Sequence, residues 1–136
     1  MDGAGRTNVS VIGDWRNPKV RLPGGGGAAV MMPTAKRVVT WRTEHSTRTL
    51  VEKLDFVTAA GNLQTVVTPI AVLQKREGRL ALESRNPQVT LDEIIRQTGF
   101  RFDASAAQPT APITPRERAA LETLDPQGEF AAGVRA

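Results

Sequence analysis

The sequence predicts a mixed α/β domain: short β-branched runs are followed by two helix starts marked by capping boxes, and glycine or proline punctuates the junctions. Asn8-Val9-Ser10-Val11-Ile12-Gly13 alternates apolar and polar side chains and stops at glycine, as a short strand does. Asp14 to Pro23, with Trp15, Pro18 and Pro23, reads as a loop. Ala28 to Met32 reads as about a turn of helix, ended by Pro33, which lacks an N–H and disfavours helix in the residue before it. Lys36 to Thr43 is β-branched and aromatic and predicts a strand. Val66 to Gln74 predicts another, with an edge or bulge at Pro69, and Arg79 to Ser84 returns as its hairpin partner across Lys75-Arg76-Glu77-Gly78.

Thr90 followed by Glu93 is a capping box. Leu91, Ile94 and Ile95 give that helix one apolar face before Gly99 stops it. Phe100-Arg101-Phe102 predicts a last strand, and Ala104 to Ile113 an extended Pro/Ala/Ser linker. Thr114 and Glu117 repeat the capping box with Pro115 at the favoured first position, so a second helix runs to Leu124, and the tail Ala131 to Ala136 is expected to fray. The chain thus divides into residues 1–103, a linker at 104–113 and a C-terminal helix and tail at 114–136.

With 136 residues and 40% hydrophobic content, the chain holds enough apolar material for one core. No run of apolar residues is long enough to span a membrane, and the N-terminus lacks the apolar stretch of a secretory signal, so a soluble, unexported chain is expected. The absence of cysteine fits the cytoplasm and removes disulfides and thiol catalysis; with His45 the only histidine, no metal site is expected. Residues 1–53 carry nine Lys/Arg against four Asp/Glu, and residues 54–136 nine against ten, so the basic surplus surrounds the glycine-rich stretch. The basic residues are scattered and aromatic residues few, which favours a small phosphorylated ligand over nucleic acid.

Gly24 to Gly27 stand in a row between Pro23 and Ala28. Bare glycines permit positive φ angles and let a ligand approach main-chain N–H groups closely. Such a stretch is either a flexible surface loop or a nest of donors for an anion or oxyanion. A dinucleotide fingerprint is formally present in Gly24, Gly26 and Ala29, with Glu44 at the ribose-binding distance. Its context is wrong, because Pro23 abuts the first glycine and Pro33 cuts the helix short. A P-loop fails because no Gly-Lys-Ser/Thr follows.

"PKVRLPGGGGA", then "KRVVTWRTEH", "LVEKLDFVT", "VVTPIAVLQ" and "VTLDEIIRQTGFRF", in that order, resemble the C-terminal half of the β subunit of class I coenzyme A transferases, of the glutaconate and 3-oxoacid kind, and of related ring-opening CoA hydrolases. The resemblance runs from about Asp2 to Phe102. It implies a partial open, mostly parallel α/β sheet of the CoA-transferase type, with short helices and a C-terminal hairpin. It also implies an α-subunit partner, acyl-CoA and carboxylic acid substrates, coenzyme A as substrate rather than bound cofactor, and no membrane or nucleic-acid partner. In that family a glutamate attacks the acyl-CoA thioester to give an anhydride, which the CoA thiolate converts to a glutamyl thioester.

The family's glycine loop maps onto Gly24, Gly26, Gly27 and Ala28. The resemblance implies oxyanion-hole N–H groups at Gly26, Gly27 and Ala28, and coenzyme A binding by Gly24, Gly25, Lys19 and Arg21, with Lys36 and Arg37 nearby. Ordinary solvated charges are the plainer reading of the four basic residues. Two departures stand out. In the family the nucleophilic glutamate sits in a Glu-x-Gly motif upstream of this region, and no such motif occurs in these residues, Glu77-Gly78 having the wrong spacing; Val30 replaces the acidic or amide residue usual beyond the loop. His45 sits where relatives often carry histidine, yet a lone histidine at a strand end is more often structural. Trp15 and Trp41 read as core or interface residues, Asp55 as structural, and Arg48 and Lys53 as surface charges or subunit contacts. The expected role is therefore a β-subunit portion that supplies the oxyanion loop and is inactive alone. The alternatives are a subunit of a CoA-thioester or ring-cleaving hydrolase, and a non-catalytic assembly module.

Overall fold

The structure, a computed structural model, describes residues 1–129; the expected fraying of the tail concerns residues outside these. Strands β1 (Val11–Gly13) and β2 (Pro18–Arg21) form an antiparallel ribbon. Helix α1 (Ala28–Thr34) follows, then β3 (Val38–Trp41), β4 (Leu63–Val67), β5 (Ala71–Arg76), β6 (Arg79–Arg85), α2 (Leu91–Gln97), β7 (Gln108–Pro109) and α3 (Pro115–Leu124). Strands β3 to β7 make one open sheet in sequence order. The parallel pairings are the two outer ones, β3 with β4 and β6 with β7, and the inner two are antiparallel. Strands and short helices interspersed around one core give the expected α/β class.

Local chemistry explains where the elements depart from expectation. The stretch Asp14 to Pro23 is not all loop: Pro18–Arg21 pairs back onto β1, since Asp14 Oδ1 accepts from the Arg16 and Asn17 amides and folds the chain over. Helix α1 runs past Pro33 to Thr34. Its last carbonyls are satisfied from outside, for Asn62 donates its main-chain N–H to Met32 O at 2.7 Å and its Nδ2 to Pro33 O at 3.1 Å and Ala35 O at 2.8 Å.

Val66 to Gln74 is two strands, because Pro69 sits in a tight reversal rather than in a ladder. The reversal is closed by Thr68 N–H on Ala71 O at 2.9 Å and by Ala71 N–H on Thr68 Oγ1 at 3.0 Å. Phe100–Phe102 forms no strand; Phe100 turns into the core, and the edge beside β6 is taken by Gln108–Pro109 from the stretch expected to be linker. Both capping-box signals start helices, with Thr90 Oγ1 accepting from Glu93 N and Thr114 Oγ1 from Glu117 N.

One cluster forms the core: Met32 of α1, Leu50 of the β3–β4 connection, Ile94 of α2 and Phe100 pack with Leu63, Val66, Leu73, Leu80 and Leu82 of the sheet. Through Met32 it anchors α1, and so fixes the glycine stretch that leads into that helix.

Candidate functional site at the glycine loop

Residues Gly24 to Gly27 join the β1–β2 ribbon to α1. On the ribbon side, Leu22 N–H meets Ser10 O at 3.0 Å and Gly24 N–H meets Val9 O at 2.8 Å, so the ladder continues up to the first glycine. Gly24 (φ +91°) and Gly26 (φ +48°) lie in the left-handed region that glycine enters without a Cβ penalty. Gly27 returns to φ −73°, ψ −17° and caps α1. Neighbouring residues of opposite hand are the backbone pattern that turns successive N–H groups to one side.

Among the described residues no acceptor meets the amides of Gly25, Gly26 or Gly27. The Ala28 N–H is spent differently: it donates to Gly25 O at 2.8 Å and closes the turn. Of the three positions expected to face an oxyanion, Gly26 and Gly27 have available donors and Ala28 does not. A Cβ at Gly24 or Gly26 would enter open space, so bareness at those positions answers the φ requirement and leaves the approach to the loop clear.

Thr58 supports the loop, and nothing in the sequence flags it. Its Oγ1 accepts from Val9 N at 3.0 Å and pairs with Ser10 Oγ at 2.7 Å, while its methyl lies under Gly25. Thr58 is itself held by Thr58 N–H on Thr7 O at 2.8 Å, next to the Thr7–Ala59 bridge. The contact joins residues far apart in the chain, and no local pattern announces it.

The basic residues divide. Arg21 is engaged at home: its guanidinium carbon lies 4.4 Å from the centre of the Trp15 ring and its Nη2 donates to Trp15 O at 2.7 Å. Trp15 in turn stacks on Phe56, ring centres 4.3 Å apart. Lys19, Lys36 and Arg37 are exposed and without an ion-pair partner among the described residues. Asp55 Oδ2 accepts from Gly13 N at 2.7 Å and so braces the β1–β2 turn.

His45 lies away from solvent in the core, with Nδ1 2.9 Å from Thr68 Oγ1 and Nε2 2.9 Å from Thr98 Oγ1. Burial pushes its pKa down to about 4, which keeps the ring neutral at physiological pH. A neutral ring donates from one nitrogen only, so one threonine keeps its O–H on a main-chain carbonyl, Ala71 O for Thr68 or Ile94 O for Thr98, while the other turns its O–H to the ring. This histidine is a structural clamp between the β4–β5 turn and the end of α2. Glu77 and Gly78 are the two central residues of the β5–β6 hairpin, at φ +50° and +82°.

The coenzyme A transferase family model matches residues 1–97. The chain is 33% identical to the β-type subunit of 3-oxoadipate CoA-transferase from Pseudomonas knackmussii, in an alignment covering 98% of this chain and 58% of that one. The β-type subunit of glutaconate CoA-transferase from Acidaminococcus fermentans is 27% identical, over 96% and 56% of the two chains. Among solved structures, the decarboxylase AibA/AibB superposes with a TM-score of 0.91 at 29% identity, over 100% of this chain and 58% of that one. The 136 residues thus span somewhat over half the length of the relatives they match.

Proposed function

The chain belongs to the coenzyme A transferase family, and from that premise we propose that it is the portion of a β-type subunit whose glycine loop holds the oxyanion in acyl-CoA chemistry. The amides of Gly25, Gly26 and Gly27, unpaired among the described residues, in a loop held open by the left-handed Gly24 and Gly26, are the observation that carries this reading. Attack on a thioester or anhydride carbonyl puts negative charge on its oxygen. Fixed main-chain N–H groups receive that charge without reorganising, and each such donor is worth about 3 kcal/mol in a transition state. Gly26 and Gly27 supply these donors, with Gly25 next to them. Gly24, at the end of the ribbon ladder, sets the direction of the loop. Lys19, Lys36 and Arg37 are available for the phosphates of coenzyme A, whereas Arg21 shapes the approach through Trp15.

The attacking carboxylate comes from outside these residues, since none of their glutamates is followed at the second position by glycine. A partner chain of the α type completes the enzyme. Isolated, the 136-residue chain is predicted to transfer no CoA. The test is to combine it with an α-type partner and with the Glu-x-Gly-bearing remainder of a β-type subunit, and to follow CoA transfer from an acyl-CoA to a free carboxylate. Turnover that needs this chain, the added chains and the acceptor acid supports the reading, and turnover by this chain alone overturns it.

The likeness to the decarboxylase AibA/AibB favours a second reading. There the same loop would hold a thioester oxygen as negative charge builds on it during loss of carbon dioxide. Product formation without an acceptor acid separates the two.

A further inference from the structure

Of helix α1 only Met32 is buried, while Ala29, Val30, Met31 and Pro33 are exposed, Val30 to 65% and Met31 to 60%. No residue of α1 carries a charge. Apolar side chains therefore face water on the helix that the glycine loop begins. Helical side chains lean toward the N-terminus, and Met31 leans onto the loop: its Cε is 3.1 Å from where a Cβ on Gly27 would stand. The main-chain N–H groups of Val30 and Met31 both donate to Gly27 O, at 3.1 and 2.8 Å, which fixes the two residues one turn beyond the Gly26 and Gly27 amides.

An oxygen held by those amides, at about 2.9 Å from nitrogen, brings its carbonyl carbon and both substituents of that carbon beside the loop. For an acyl thioester these are the sulfur of coenzyme A and the acyl tail. The exposed Lys19 stands on β2 five residues before Gly24, about 17 Å of extended chain. The ribbon thus offers a path that ends at a cation suited to phosphate. The other path runs over α1, past Met31 and Val30, and along the chain it meets no charge until Lys36 and Arg37, beyond about 10 Å of helix. A carboxylate ending a short tail would lose hydration there and gain no partner. A methyl end would pack against the thioether and the valine, a gain of about fourfold for each CH₂ covered.

We propose that the thioester lies with its coenzyme A over the β1–β2 ribbon and its acyl group over α1, where Val30 and Met31 set specificity for short monocarboxylic acyl groups with an uncharged tail over dicarboxylic ones. The assignment rests on the reading of the glycine loop as the oxyanion site.

The test uses the full chain in the complex reconstituted with an α-type partner and the Glu-x-Gly-bearing remainder of a β-type subunit, with acetate as acceptor. Pentanoyl-CoA and glutaryl-CoA are compared, since their tails match in length and differ in ending as methyl or carboxylate. The kcat/KM ratio is expected to favour pentanoyl-CoA at least about tenfold. Met31→Lys should move that ratio toward glutaryl-CoA by about tenfold or more, Val30→Lys should move it in the same direction, and Met31→Leu should keep it. A ratio that neither lysine variant moves, or lysine variants that change KM for both thioesters alike, would overturn the assignment and leave the loop's role in place. Lysine variants that melt as the unmodified chain does but no longer join the complex, followed by sedimentation, would show these residues to be covered by another chain and would overturn it too. If neither thioester turns over in the unmodified complex, the reading of the loop fails and this assignment with it.

Discussion

The methyl group of Thr58 lies 2.8 Å from where a Cβ on Gly25 would stand, closer than real Cβ contacts come. Thr58 cannot swing aside freely, because its hydroxyl is tied to Val9 N and Ser10 Oγ. Gly25→Ala should therefore cost about 1–3 kcal/mol through overpacking. Thr58→Ser keeps the hydroxyl and removes the methyl, so the double variant should recover most of that loss. Urea midpoints for the two single variants and the pair check this, and additive losses would show that the contact is not what excludes a side chain at Gly25.

The His45 clamp makes stability depend on pH. Its pKa in the folded protein is lowered to about 4 from 6.5, so the unfolded chain binds a proton first as pH falls. Stability is then full above about pH 6.5 and declines between there and pH 4, by up to about 1.4 kcal/mol per unit. Denaturant midpoints measured across that window should fall, and His45→Gln should flatten the His45 part of the slope at the cost of lower stability throughout.

Glu77 occupies a left-handed position at φ +50° followed by Gly78 at φ +82°, the two-residue turn for which Asn-Gly is the favoured pair. Glu77→Asn should raise stability by about 0.5–1 kcal/mol. The exposed site leaves the rest of the fold untouched. A thermal melt of this variant is sufficient, and a lower midpoint would contradict the turn assignment.

Much of this architecture is legible in the sequence where the signals are local. Thr90–Glu93 and Thr114–Glu117 announce their helices because a cap is completed within four residues. The β5–β6 hairpin follows from Glu77-Gly78 between Val66–Gln74 and Arg79–Ser84, the two runs that read as strands. What stayed hidden depends on partners distant in the chain. The end of α1 past Pro33 is supported by Asn62, β2 exists because it pairs with β1, and β7 takes the edge that Phe100–Phe102 leaves in turning to the core. At the site, the glycines and the family pattern located the loop, but Thr58 beneath it, the closing bond of Ala28 and the hold of Trp15 on Arg21 all required the folded chain.

The central claim is that main-chain N–H groups of the glycine loop act on the transition state, and Gly27 allows one donor to be removed cleanly. Its φ of −73° suits proline, its N–H has no acceptor among the described residues, and proline is tolerated at a helix start. Gly27→Pro deletes that donor. Gly27→Ala keeps it, asking only that the exposed Met31 side chain shift from 3.1 Å. Measured as kcat of the reconstituted complex, Gly27→Pro should lose about 10²- to 10³-fold and Gly27→Ala little. Equal rates for the two variants, both near that of the unmodified chain, would contradict the account.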